Sequence, residues 1–377
     1  MSKKIVIWGA VVIVILFILV LIPSKSKNDT IKIGLENFTT GPLAAFGDAI
    51  HKAAVLAVDD VNASGGVNGK KLELVEEDYA YDAKQVIPAH DALLSRGAQY
   101  ILFEGSTAAG QFVGLSKQKN EFFLASYAVS PVYKDGNPLT CRISLTADSY
   151  GPTVADYLIN RFKTPHIAIL VSNNEYGKSV QTAVTKAIEA AGGKVVISET
   201  YEQPNGDFRT QLTKIKAAQG LDAFFILNAG NTADGMMKQI KELGITTPLF
   251  SEGPTLTNPA VKDFSIFNGV IYSDYPYAQA LSDADTPQVK AFKNEFNTRF
   301  GTLPTAISAQ EYDAIHVLAK AIGESPDKSG AGISNYFIHT LKTYNGIGGQ
   351  FTFNDDCEVS RSIVMKIMKD GVPQLLK

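Results

Sequence analysis

Along this chain, compact apolar runs alternate with longer segments whose apolar positions recur every three to four residues. The runs read as strands buried on both faces, and the longer segments as helices with one buried stripe. Strands are expected at residues 31–35, 72–75, 100–103 and 122–125, with helices at 49–61, 83–96 and 111–119 between them. Residues 36–47 read as a loop. A second series comes next, with strands at 166–171, 194–200, 223–227, 249–251 and 270–273 and helices at 153–162, 179–191, 208–218 and 233–243. Residues 139–145 are an extended link, 148–151 a turn, and 173–177 a loop. Pro88 falls inside the helix at 83–96, where it should bend or break it. Helices at 288–300, 306–322 and 335–344 come after these, and residues 351–353 and 362–368 read as a closing strand pair. Strands and helices alternate almost throughout, which builds parallel sheets covered by helices on both faces: an α/β, doubly wound chain. Its two series, divided near residue 145, match the two domains expected for 377 residues.

Residues 100–131, YILFEGSTAAGQFVGLSKQKNEFFLASYAVSP, concentrate the candidate chemistry. Two buried strands joined by a crossover helix place the turns after them at one edge of the sheet, the carboxyl edge, where open α/β sheets bind small ligands. The first turn is Gly105-Ser106-Thr107. The second runs from Ser126 to Ser130 and is stopped by Pro131. Free N–H groups where a helix starts after Ser106 and Thr107 suit a carboxylate. Carbonyls of the second turn and the Ser130 hydroxyl suit an ammonium. Side by side, the two turns suit an amino acid zwitterion. Taken alone, Ser106 and Thr107 read more simply as a helix N-cap.

Composition changes this picture at one end of the chain. Apolar residues make up 45% and charged residues 19%, with a net charge of −3. No basic run occurs beyond the first four residues, so no nucleic acid partner is expected. The apolar excess is N-terminal: Lys3 and Lys4 precede a run that starts at Ile5 and ends at Ile22 (residues 5–22), with Trp8 near one end as an interfacial anchor. Positive charge ahead of such a run keeps its start in the cytoplasm and sends the remainder of the chain across the membrane. The run is longer than a secretory apolar core of about 7–15 residues, and no Ala-x-Ala site comes after it. Its length suits a thin or tilted span. The expectation is an uncleaved signal anchor holding an extracytoplasmic body, with a cleaved signal peptide as the alternative. Residues 23–30 are then the linker.

Other chemistry finds little footing. His51, His90, His166, His316 and His339 are scattered without ligand spacing, so no metal or other cofactor is expected. Residues 65–71, GGVNGKK, lack phosphate-loop spacing and precede a strand. No pattern marks an activated nucleophile, and nothing positive supports an enzyme. Cys141 and Cys357 form no CxxC pair; outside the cell they could pair or stay free.

Several segments together resemble the leucine/isoleucine/valine-binding protein family, the type I extracytoplasmic solute-binding proteins of ABC importers. They are IKIGLENFTTGPLAAFGDAIHKAAVLAVDDVNASGGVNGKKLEL, EDYAYDAKQ, the two-turn stretch, SYGPTVADYL, IAILVSNNEYGKS, GDFRTQLTKIK and FTFNDD. The opening is the most specific, with Gly41-Pro42, Gly47, Asn62 and Gly65-Gly66 in family order. The likeness runs from Ile31 to the C-terminal strands. It implies two doubly wound lobes joined by three crossing segments and closing over a ligand as a hinge. Lobe 1 would hold residues 31–147 and 274–347, and lobe 2 residues 148–273 and 348–377, after the anchor and linker of residues 1–30.

The resemblance also implies a set of ligand-binding residues. Gly105, Ser106 and Thr107 would form the turn that takes the ligand carboxylate, and Ala128, Val129 and Ser130 the turn that holds its amino group and carboxylate. Tyr176 would reach the ligand from a lobe 2 loop, and Phe46 would cover it from the first loop. Asn228 and Glu252 occupy the remaining lobe 2 loops. Here the sequence departs from the family, whose acidic residue matches Glu252 only across a gap. Asn228 could equally cap the helix after it, and Glu252 equally be an exposed loop carboxylate. In this layout Cys141 lies near the first crossing and Cys357 comes after the third, so a disulfide between them would restrict the hinge. The implied function is delivery of an amino acid, branched-chain or similar neutral, or a related small polar solute, to the permease and ATPase subunits of an ABC importer. The alternative is the same fold acting as a ligand sensor for a membrane partner.

Overall fold

The computed structural model describes residues 30–134, 137–203, 205–277 and 285–376. The apolar run at residues 5–22 lies outside the described residues. The first series folds as β1 (Thr30–Asn37), α1 (Ala44–Ala63), β2 (Lys71–Asp78), α2 (Val86–Ser95), β3 (Tyr100–Phe103), α3 (Ala109–Lys119), β4 (Phe123–Ala125) and β5 (Thr140–Arg142). Its five strands form one parallel sheet in the order β2-β1-β3-β4-β5. The continuous apolar runs are what this arrangement requires, since helices cover both faces. Phe103, Phe112 and Phe123 are fully buried there, with the Phe103 and Phe112 rings 3.9 Å apart.

The second series folds as α4 (Ala147–Phe162), β6 (His166–Ser172), α5 (Glu175–Ala190), β7 (Lys194–Tyr201), α6 (Arg209–Ala217), β8 (Ala223–Ile226), α7 (Ala233–Glu242), β9 (Leu249–Glu252), α8 (Gly253–Leu256) and β10 (Ile271–Asp274). The chain then returns to the first unit, where α9 (Pro287–Phe300) and α10 (Ala306–Glu324) pack on α1. After α11 (Gly330–Asn335) come β11 (Thr343–Gly346), β12 (Gly349–Phe353) and β13 (Val359–Arg361), a small antiparallel sheet. Finally β14 (Val364–Lys369) and β15 (Val372–Leu375) join the second sheet. Its order is β15-β14-β10-β9-β8-β6-β7, parallel from β7 to β10 and antiparallel beyond. The division into two serial blocks therefore fails at the C-terminal end, where the chain passes between the sheets twice more.

Several local expectations are corrected. Helix α1 begins at Ala44, so Phe46 lies in its first turn rather than in a loop. Gly47 makes this possible, because a Cβ there would stand 2.2 Å from the Phe38 carbonyl oxygen. Pro88 neither bends nor breaks the middle of α2. The helix starts at Val86, which puts Pro88 in the first turn, where an N–H has no intrahelical acceptor anyway. Helix α4 absorbs the expected turn at 148–151 and carries Pro152 inside it. Gly151 lets it lie close against α5, since a Cβ there would stand 2.7 Å from the Ala183 carbonyl oxygen. The helix expected at 335–344 ends early: a π-helical turn, Tyr336–Leu341, comes after α11, and Lys342 at φ 53° closes it. The expected closing strand pair does not form either. Strand β12 pairs with β11 and β13, where Phe353 stacks on Phe337, and β14 pairs with β10 and β15.

The two cysteines pair. The Cys141–Cys357 disulfide joins β5 to the turn before β13, with Cα atoms 4.8 Å apart. Beside it, the fully buried Arg142 is ion-paired to Glu358. The three passages between the sheets are braced by Arg361. It donates to the carbonyls of Ile143 (3.2 Å) and Gly348 (2.7 Å), and its guanidinium lies 4.6 Å from the Tyr275 ring centre.

Candidate functional site

At the carboxyl edge of the first sheet, β3 runs out through Glu104 into Gly105. Here glycine is required: φ is 89°, and a Cβ would stand 2.6 Å from the Tyr79 hydroxyl oxygen. The turns after β3 and β4 are adjacent, as expected, and are tied together. Gly105 N donates to the Tyr127 carbonyl at 2.6 Å, and Val129 N donates to Ser106 Oγ at 3.0 Å. The helix-cap reading of Ser106 and Thr107 does not hold, because α3 starts at Ala109 with Ala108 at its N-cap and no side-chain cap bond. Thr107 Oγ1 is buried without a partner of hydrogen-bonding geometry, and the Tyr81 hydroxyl lies beside it.

The second turn is held from behind. Ala128 N donates to Ser144 Oγ (3.0 Å), while the Ala128 carbonyl accepts from Ser144 Oγ (2.7 Å) and Arg142 Nη1 (3.1 Å). Both backbone groups of Ala128 are thus engaged, because the buried Arg142 cation needs carbonyl acceptors. It also donates to the Ser130 carbonyl at 2.7 Å. Ser130 Oγ accepts from Val132 N (3.2 Å) and donates to Glu175 Oε1 (2.8 Å), a bond that reaches the second unit.

On the second sheet, Asn174 caps α5 by accepting from Gly177 N at 2.9 Å, and a Cβ at Gly177 would stand 2.0 Å from the Ser172 carbonyl oxygen. This local geometry places Tyr176 in the first turn of α5 rather than in a loop. Tyr176 is buried and donates to Glu252 Oε1. Glu252 is the last residue of β9 and only 1% exposed, so the exposed-loop reading fails. Its Oε2 has no hydrogen-bond partner, and burial, helped by nearby Asp274, pushes its pKa up to about 8. Asp274 itself receives Lys366 Nζ at 2.8 Å. Asn228 spends its groups on the loop before α7. Its N–H donates to Thr255 Oγ1, its Oδ1 accepts from Gly230 N, and its Nδ2 donates to Thr232 Oγ1. It therefore shapes the loop, while Thr232 holds the N-cap position of α7. Asn231 N donates to the Pro42 carbonyl at 3.3 Å, a second link between the units.

Besides Phe46, aromatic residues that the sequence did not single out complete the site. Phe46 and Tyr127 lie parallel with ring centres 6.3 Å apart. Burial raises the Tyr127 phenol well above its usual range, reinforced by Glu252 and by Tyr81, Tyr150 and Tyr275. Tyr150 donates to the Tyr275 hydroxyl at 2.9 Å, which also accepts from Leu145 N. The SYG segment was legible as a family feature, but Tyr275 lies in a connection that carries no periodic signal. The edge thus offers backbone N–H groups, hydroxyls and carboxylates against an aromatic wall, equipment for holding a small polar molecule.

Comparison with known proteins agrees with this fold. Residues 30–369 match the family model described as Periplasmic binding protein. A leucine-, isoleucine-, valine-, threonine-, and alanine-binding protein of Pseudomonas aeruginosa is 27% identical over 303 residues, 78% of either chain. A Leu/Ile/Val-binding protein of Escherichia coli K12 is 25% identical over 221 residues, 58% of this chain and 60% of that one. Among solved structures, the branched-chain amino acid transporter substrate binding protein of Streptococcus pneumoniae, in complex with isoleucine, superposes with a TM-score of 0.79 at 21% identity. The match covers 92% of this chain and 99% of that one. An ABC transporter solute binding protein of R. palustris in complex with benzoate gives 0.81 at 18% identity, covering 92% and 95%. This chain belongs to the periplasmic binding protein family and has its type I fold.

Proposed function

We propose that this protein is an extracytoplasmic solute-binding protein that takes an amino acid between its two sheet units and presents it to the permease and ATPase of an ABC importer. The observation that carries the reading is the pair of turns at one sheet edge, locked by the bond from Val129 N to Ser106 Oγ. The solute carboxylate sits against the backbone N–H groups of Ser106 and Thr107 and the unpartnered Thr107 hydroxyl. No Lys or Arg is needed to hold an anion there. The amino group faces Ala128 and Ser130, with Tyr176, Glu252 and the Asn228 loop closing from the other side and Phe46 and Tyr127 walling the site. The names of the relatives support a neutral amino acid, and they favour transport over sensing. The isoleucine and benzoate held by the two solved relatives share a carboxylate on an apolar body, which is what the first turn is built to read.

In this reading residues 31–147 and 274–347 form one lobe and residues 148–273 and 348–377 the other. The protein works by hinge closure, without chemical turnover. The Ser130–Glu175 and Asn231–Pro42 bonds are the contacts that closure makes. Residues 5–22 remain as an N-terminal membrane anchor. The mass of the protein extracted from its native membrane tests that part, and a soluble product starting near Lys25 overturns it. Calorimetry against free neutral amino acids, their amides and their N-acetyl forms tests the function. A preferred solute that lacks a carboxylate or an amine defeats the zwitterion reading.

A further inference from the structure

We infer that Arg142 is a positioning residue for amine recognition: paired with Glu358, it fixes the second turn, Ala128 to Ser130, in the form that receives the solute ammonium. The inference rests on the amino acid reading above and extends it to a pair that lies behind the turn. All three carbonyls of that turn are held from one stretch of chain, residues 142–147, between the end of β5 and the start of α4. Arg142 Nη1 donates to the carbonyls of Ala128 (3.1 Å) and Ser130 (2.7 Å). Ser144 Oγ also donates to the Ala128 carbonyl (2.7 Å), and Ala147 N donates to that of Val129 (3.0 Å). Of these donors only Arg142 carries a charge, and it grips both ends of the turn at once. Its Nη2 meets Glu358 Oε1 on the other side, so one rigid plane links the turn to the carboxylate.

A purely structural strut would be redundant here. The disulfide, the bond from Arg142 N to the Cys357 carbonyl (3.0 Å) and the bond from Arg361 Nη1 to the Ile143 carbonyl (3.2 Å) already join this stretch to the segment around β13. What the guanidinium adds is its hold on Ala128 and Ser130. A buried ion pair is also a poor source of net stability, because desolvation offsets the attraction. Arg142 is fully buried and Glu358 nearly so. Glu358 is itself fixed by Asn354, whose Oδ1 accepts from Glu358 N (2.9 Å) and whose N–H donates to the Glu358 carbonyl (2.8 Å). Its carboxylate cancels the guanidinium charge. Without it, a bare cation would lie directly behind the turn that faces an ammonium and would repel it. The pair thus aims the turn and keeps the ground behind it neutral.

The test is calorimetric titration of the full chain with L-leucine and with isocaproate, the same molecule without its amino group, beside guanidinium unfolding of each variant. In the double variant Arg142→Met with Glu358→Leu, apolar side chains replace the ion pair, a change that is often neutral for stability. Its unfolding midpoint should stay near that of the parent. Its affinity for L-leucine should fall about tenfold to a hundredfold, as expected when a charged hydrogen bond is misplaced. Isocaproate, read by the first turn, should bind nearly as before. Arg142→Lys keeps the charge and the disulfide but not the planar fork, and should show the same split at smaller size. It decides the matter alone if the double variant does not fold. The inference is overturned if a folded variant binds leucine as the parent does. It is also overturned if both ligands lose affinity alike, which a merely structural pair would produce. A parent protein that binds no neutral amino acid overturns the underlying reading and this assignment together.

Discussion

Replacing both Cys141 and Cys357 by serine should destabilise the protein by several kcal/mol. The bridge closes a loop of 216 residues in the unfolded chain. The chain-entropy relation, with a logarithmic dependence on loop length, gives about 5 kcal/mol at 25 °C for a loop of that size. That figure is a ceiling, because an unfolded chain with residual structure has less entropy to regain, and native disulfides typically contribute about 2–5 kcal/mol. The native geometry around the bridge does not depend on it alone. Arg142 N donates to the Cys357 carbonyl at 3.0 Å, and the Arg142–Glu358 pair spans the same two segments. The loss should therefore appear as a freer unfolded ensemble rather than a disordered β5. Guanidinium unfolding of the oxidised parent and of the double serine variant, read by fluorescence and circular dichroism, measures it. A difference below about 1 kcal/mol would refute the entropic argument. Two alkylatable thiols in the folded, unreduced parent would remove its premise.

The site yields three further expected outcomes. Ser130→Ala removes the hydroxyl that joins the second turn to Glu175 and should weaken amino acid binding about tenfold to a hundredfold in calorimetry; unchanged affinity would count against the role of this turn. Glu252 keeps its proton in the folded state up to about pH 8, against a usual value of 4.5. The folded state then binds more protons than the unfolded one, and stability falls as pH rises between those values. Glu252→Gln should therefore gain on the parent from pH 5 to pH 8 in denaturant melts, and parallel curves would contradict the burial argument. Gly177→Ala forces a Cβ against the Ser172 carbonyl oxygen and should cost about 1–3 kcal/mol of stability, with displacement of Tyr176 visible as lost solute affinity.

Strand placement was legible because buried parallel strands announce themselves as unbroken apolar runs, as β3 and β6 do. The adjacency of the two turns was legible for the same reason, since a strand–helix–strand unit leaves little choice of edge. Interleaving was not, because nothing local at Tyr275 or Gly348 tells the chain to change sheets; only the family resemblance supplied it. Helix starts were misplaced where a tertiary contact decides them. Gly47 against Phe38 and Gly177 against Ser172 extend α1 and α5 backward, carrying Phe46 and Tyr176 out of their expected loops. The state of Glu252 was illegible for a different reason. Its sequence neighbours are small and polar, and only the fold shows that the strand end is sealed beneath aromatic rings.

Strand direction also decides how the molecule can be handled. Strand β1 runs parallel to the strands whose far ends carry the turns, and at eight residues it is about 25 Å long. Thr30 therefore lies a full strand length behind the edge that receives solute. At the other end of the chain, β15 is an edge strand of the second sheet, with Val372 and Leu375 open to solvent. A dye or a surface attached ahead of Thr30 would report on the first sheet away from that edge, whereas β15 runs parallel to β10 and ends level with its carboxyl end, so one attached after β15 would sit at the receiving edge of the second sheet. The start of β1 is thus the natural attachment point for an optical reporter that must leave the receiving edge open.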